Sequence, residues 1–233
     1  NFITLELTKV YRQTDEHFLE ILNAIRDGIT EDIDFETLNE RYQPDFDPKD
    51  EAYVYLCSHN KMADDINQKK IKELGGRAHS YTADVKGDFK ETQYPNDEIL
   101  ELKIGAQIMF IRNDTSPDKK YFNGKLAQIS YLDEDEISVI LDGSEEEITL
   151  KAETWEQKKY SLDDEKNIKE EVLGSFKQFP IRLAWAVTIH KSQGLTFDRL
   201  IIDAGKSFAS GQVYVALSRC RTLEGIILKS KIT

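Results

Sequence analysis

Two strand-and-helix units bracket a run of closely spaced short strands, and this double change of period limits the fold more than any other feature of the chain. At the first end, AYVYLC (Ala52–Cys57) is a short apolar run rich in β-formers, and SHNKMADDINQKKIKELGG after it predicts a helix that stops at the Gly75-Gly76 pair. Strand, turn and helix in that order make a βα unit of a parallel sheet. From about Ile104 to Ser161 the runs AQIMFIRN, GKLAQISYL, EISVILD and EEITLKAET follow at hairpin spacing, joined by the turn-rich DTSPDKKYFN, DEDE and DGSE. They predict a small antiparallel sheet or barrel. Beyond it, FPIRLAWAVTIHKSQG predicts a strand feeding a helix, RLIIDAG a strand, SGQVYVALSRCR a helix and GIILKS a strand. The expected fold class is therefore α/β, a parallel-sheet domain at residues 1–103 and 162–233 interrupted by an antiparallel β-module at 104–161.

The front of the chain adds two helices. DEHFLEILNAIRDG puts Phe18, Ile21, Leu22 and Ile25 on one helical face, with Gly28 as the stop. DFETLNERY predicts a second, shorter helix with Asp34 as its N-cap, broken off by QPDFDPKD.

At 233 residues and 39% hydrophobic, the chain has material for one large domain or two smaller ones. No window approaches the roughly 20 apolar residues of a membrane span, and the start lacks the basic-then-apolar layout of a signal peptide. A cytoplasmic protein with no membrane partner is expected. Two cysteines, Cys57 and Cys220, stand far apart outside any CxxC pattern, so no disulfide framework and no metal site is expected. The net charge of −12 argues at first against a nucleic-acid partner. Its distribution reverses that argument. Residues 181–233 hold eight basic side chains against three acidic, whereas residues 131–171 hold fifteen acidic against five basic. A local anion site at the C-terminal end is compatible with an acidic chain.

A self-sufficient P-loop NTPase needs G-x-x-x-x-G-K-[ST] to wrap backbone amides around phosphates, and the sequence has no such string. NGKLA around Lys125 lacks the first Gly and the hydroxyl residue, and SVILDG, which imitates a strand ending in a magnesium-binding Asp, reads as a hairpin. The chain is not expected to hydrolyse nucleotide unaided. The stretch TIHKSQG offers more. With Ala184–Gln193 helical, Thr188, Lys191 and Ser192 project from one side of the last turn, and Gly194 lets the chain leave sharply. His190 and Lys191 are then phosphate donors and Thr188 bonds a backbone oxygen. In the alternative, Thr188 and Ser192 satisfy helix carbonyls and Lys191 points into water. Arg219 follows the apolar face Val213, Val215, Ala216 and Leu217, and reads either as a salt-bridge partner or as a finger for a neighbouring phosphate site.

LAWAVTIHKSQGLTFDRLIID and GQVYVALSRCRTLEGI resemble motifs V and VI of the superfamily 1 helicases of the Pif and RecD-like group. LTKVYRQTDEHFLEILNAIR resembles that family's motif IV, CSHNKMADDIN its t-N-x-x-a-x-x-I-N segment, and AQIMFIRND…YFNGKLAQI the stretch that opens an inserted small barrel, with Ala127 where many relatives have Gly. The resemblance implies the second RecA-like motor domain of an ATP-dependent DNA helicase, at residues 1–103 and 162–233, with an SH3-like β-barrel at 104–161. It further implies a first domain, before Asn1 in the same polypeptide, that holds the P-loop, ATP and Mg2+. Arg12 and Arg219 would reach the γ-phosphate. Thr188, His190, Lys191 and Asn60 would contact single-stranded DNA, and Gln193 and Gly194 would lie where nucleotide and DNA are coupled. Movement would be 5′ to 3′. Two other classes stay open: a non-catalytic module whose acidic insert binds a protein, and a simple single-strand-binding domain.

Overall fold

The structure, a computed structural model, describes residues 12–13, 15–49, 51–162, 167–204 and 210–233. Helix α1 (Glu16–Asp27) starts where the Asp15 carboxylate accepts the Phe18 N–H at 3.2 Å and ends at Gly28, whose φ of 71° is the left-handed conformation that glycine adopts without penalty. Its buried face is Phe18, Ile21, Leu22 and Ala24, with Ile25 only partly covered. Helix α2 (Phe35–Asn39) is capped by Asp34, which accepts the Thr37 N–H at 3.0 Å. That hydrogen bond favours the ionised form and lowers the Asp34 pKa. Strand β1 (Val54–Cys57) and helix α3 (Asn60–Glu73) form the expected βα pair.

The strands β2 (His79–Thr82), β3 (Asp84–Gly87), β4 (Ile99–Leu102), β5 (Gln107–Phe110), β6 (Leu126–Leu132), β7 (Ile137–Leu141), β8 (Glu147–Leu150), β9 (Glu153–Leu162), β10 (Ile168–Gln178) and β11 (Ile181–Leu183) follow. The chain closes with β12 (Ala186–Thr188), β13 (Leu200–Ile202), helix α4 (Ser210–Leu217) and β14 (Ile226–Leu228).

Two compact units result, one running through Ile66 and resuming at Trp185, the other spanning Asn67–Ala184. The first holds a four-stranded, wholly parallel sheet in the order β12-β1-β13-β14. Strands β13 and β14 are short apolar runs buried on both faces: Leu200, Ile201 and Ile202 have no exposure, and neither do Ile226 and Leu228. The outer edge of β14 is bridged by Tyr42, so it is not left bare.

The second unit is antiparallel throughout, as the hairpin spacing predicts, with sheets ordered β11-β5-β6-β7-β8, β3-β10-β9 and β2-β4. SVILDG is indeed hairpin, β7 pairing with β8 beyond Gly143. The unit is wider than the expected 104–161, because β2 to β4 precede that range and β10 and β11 follow it. The long β9–β10 ribbon escapes a period-2 reading for a physical reason. Beyond its base both strands are exposed on both faces, so KKYSL and IKEEV, mostly charged or polar, show no sustained apolar alternation.

The expected helix at Ala184–Gln193 is not present. Ala186–Thr188 is a strand paired in parallel with β1, and residues 189–194 form a turn. All three residues of β12 are buried. A run buried on every side has no polar face, so its sequence does not distinguish strand from helix.

Candidate phosphate-handling site

Strands β1 and β12 end together, Cys57 beside Thr188, and their carboxyl ends open into a hollow of about 340 Å³ lined by Ser58, His59, Asn60, Thr188, His190 and Lys191. Ligands of open parallel sheets sit outside the carboxyl ends of the strands. Asn60 is the first residue of α3, so the unpaired N–H groups and positive end of a 14-residue helix face this region. His59, Asn60, His190 and Lys191 are exposed.

The turn after β12 decides between the two readings of TIHKSQG residue by residue. Ser192 has no exposure and donates its hydroxyl to the Ile189 carbonyl at 2.7 Å, so it belongs to the turn. Thr188 is only 3% exposed, and its hydroxyl accepts the Lys191 N–H at 3.3 Å, which fixes the backbone from which His190 and Lys191 project. Gln193 and Gly194 are exposed at the exit, and Gly194 has the φ of 82° that turns the chain away sharply. Asn60, from the other end of the sequence, lines the same hollow as Thr188, His190 and Lys191. Sequence reasoning did not single out Ser58 and His59, whose hydroxyl and Nδ1 lie 2.7 Å apart. Their position, directly after an apolar strand and before a helix, is the signal that marks them.

The two arginines also meet. Arg12 donates from Nη1 to the Ser218 carbonyl at 3.0 Å and from Nε to the Thr196 hydroxyl at 2.9 Å. Arg219 donates from Nη2 to the Ser218 hydroxyl at 2.9 Å and from Nε to the Val215 carbonyl at 3.0 Å. The buried amide of Gln13 braces the same corner, donating to the carbonyls of Ser218 and Cys220 at 3.0 and 2.9 Å. Both guanidiniums are half-buried, and among the described residues neither has a carboxylate partner. Burial, and then the neighbouring charge of Arg12, push the Arg219 pKa below its ordinary value. The salt-bridge reading of Arg219 therefore finds no partner among the described residues, and a pair of like charges held this way attracts an anion. No group of three or more His, Cys, Asp or Glu that could hold a metal occurs among the described residues.

Turn and arginine pair are joined by the segment Leu195–Phe197. The Phe197 N–H donates to the Arg219 carbonyl at 2.9 Å, and the Arg221 N–H returns to the Phe197 carbonyl at 3.0 Å.

No family model matches the chain. It is 34% identical to the human ATP-dependent DNA helicase PIF1 over 96% of this chain and 34% of that one. A crystal structure of Pif1 from Bacteroides sp. in complex with ADP-AlF4 is 38% identical and superposes with a TM-score of 0.86, covering 98% of this chain and 52% of that one. The single-stranded-DNA-bound Bacteroides Pif1 is 39% identical over the same shares, with a TM-score of 0.67. The class these likenesses define is that of the superfamily 1 DNA helicases. Within it the chain belongs with the Pif1 helicases, to which it is homologous along 96% of its length. It spans about a third of the human relative and about half of the Bacteroides one.

No helix among the described residues is long and apolar enough to cross a membrane.

Proposed function

We propose that this chain is the second motor portion of an ATP-dependent DNA helicase, a RecA-like domain carrying an SH3-like β-barrel insert. The observation that carries the reading is the convergence of Arg12 and Arg219 on Ser218 with no described carboxylate to neutralise them. Two guanidiniums mounted on rigid backbone and left without an anion match phosphate oxygens in charge and geometry. The phosphate is the γ-phosphate of ATP, bound with Mg2+ on a P-loop domain of the same polypeptide. When bound there, Mg2+ neutralises charge on the phosphates. This chain's own part is to bring Arg12 and Arg219 against the transferring group and stabilise the charge that develops on it. Those two are its catalytic residues.

The hollow at the ends of β1 and β12 takes the backbone of single-stranded DNA. Lys191 and His190 supply cationic or hydrogen-bonding donors, Asn60 an amide, and the α3 N-terminus a positive dipole. Thr188 acts from beneath by fixing the turn. Gln193 and Gly194 form the exit of that turn, where a change at the strand reaches the arginine pair through Thr196. Alternating closure of the two motor domains on ATP then steps the protein along DNA, 5′ to 3′.

ATP turnover by the full-length protein, measured with and without single-stranded DNA, tests the reading. Turnover stimulated by DNA and lost in Arg219→Ala is expected. A protein that binds single-stranded DNA and hydrolyses no ATP is instead a binding module with a helicase-like fold.

A further inference from the structure

Arg12 has a long side chain, with four torsions between its guanidinium and a backbone at the very start of the described chain. Two hydrogen bonds remove that freedom. One is to the Ser218 carbonyl, a fixed backbone group. The other is to the hydroxyl of Thr196, half-buried, which accepts from Nε at 2.9 Å. Nε–H and Nη1–H lie on different edges of the guanidinium plane, so engaging both fixes the plane itself as well as the position of the head group. Nη2 has no hydrogen bond among the described residues and is left for an incoming acceptor.

Thr196 is placed by the turn that carries the hollow. It stands two residues beyond Gly194, and its neighbour Phe197 is tied on both sides to the backbone of Arg219 and Arg221. The turn bearing His190 and Lys191 is joined to Thr196 through Gly194 and Leu195 alone.

We propose that Thr196 is a positioning residue, whose hydroxyl orients Arg12 for phosphate and links that orientation to the turn bearing His190 and Lys191. The inference rests on the proposed role of Arg12 at the ATP phosphate. A hydroxyl acceptor is required and a methyl is not, so serine should substitute and valine should not.

The test is ATP turnover by the full-length protein at saturating single-stranded DNA, for Thr196→Val, Thr196→Ser, Arg12→Ala and the double variant Thr196→Val with Arg12→Ala. Thr196→Val should lower kcat about tenfold with KM for ATP and affinity for single-stranded DNA changed less than about twofold, the pattern of an interaction made in the transition state. Thr196→Ser should restore kcat to within about threefold of the parent. The double variant should be no slower than Arg12→Ala alone, because a residue that acts only through Arg12 has nothing left to position. Three results overturn the proposal: parental kcat in Thr196→Val, Thr196→Ser as slow as Thr196→Val, or a double variant about tenfold slower than Arg12→Ala. Parental turnover in Arg12→Ala instead removes the role of Arg12 itself, a failure of the underlying reading that the same set of variants identifies.

Discussion

Arg12 and Arg219, drawn from opposite ends of the chain, hold the same residue: Arg12 donates to the carbonyl of Ser218 and Arg219 to its hydroxyl. Like charges are brought together here with no described carboxylate between them, each guanidinium being held by a backbone carbonyl and a hydroxyl, which are neutral acceptors. An anion in front of the pair would relieve the repulsion.

Arg219→Ala in the full-length protein should therefore lower ATP turnover by about three decades, on the scale of other arginine fingers. Steady-state ATPase measurement at saturating DNA checks this, and turnover within a few-fold of the parent would sink the assignment.

Lys191 is exposed at the rim of the hollow and in no ion pair among the described residues. Lys191→Ala should weaken binding of single-stranded DNA and flatten its dependence on salt, by about 0.7 in the log–log slope for each phosphate that is no longer neutralised. Fluorescence anisotropy over a salt series reads both. An unchanged slope would place the DNA elsewhere.

Cys57 and Cys220 are buried thiols whose pKa burial pushes up, in each case from 9.0 to about 12. In the unfolded chain they lose their protons near the lower value, so between the two the folded state binds more protons and stability falls as pH rises. The stabilisation is fully present below pH 9 and lost on passing through about 12. Urea midpoints measured across this window should drop less steeply in Cys57→Ala than in the parent. Identical slopes would show that the thiol is not linked to folding.

Gly225 sits where its carbonyl accepts the N–H of Leu200 at the entry to β13, and a Cβ there would meet the Asp198 carbonyl oxygen and the Cys220 sulfur. Both neighbours are fixed, one being backbone and the other a core side chain. Gly225→Ala should cost about 2 kcal/mol or more, as overpacking of a closed site does. Thermal unfolding of the variant, compared with Gly75→Ala, where a Cβ meets nothing within 4 Å and the backbone is not left-handed, measures the difference.

Where local chemistry decides the element, the sequence could be read directly. Asp15, Gly28 and Asp34 cap α1 and α2 as their positions predict, because a cap is a contact within three or four residues. The parallel strands β1, β13 and β14 were legible as apolar runs, and the hairpins β5 to β8 by their turns. Two things were not. AWAVT reads as helix or strand alike, since burial on every side erases the period, and only its pairing with β1 makes it a strand. The β9–β10 ribbon has exposed faces and charged strands, so nothing in its own residues announces it; its ladder with β3 does.

The site divides the same way. Composition and motif alone put a basic stretch with two hydroxyls at Thr188–Gly194 and an arginine at 219, and their resemblance to helicase motifs implies the chemistry proposed for them. Folding decided which partner each hydroxyl takes. Ser192 and Thr188 serve the turn, while Ser218 and Thr196, which sequence reasoning passed over, hold the arginines. A side chain's residue type sets what it can donate or accept, but its partner is chosen by whatever backbone arrives from far along the chain, and that is settled only when the sheet closes.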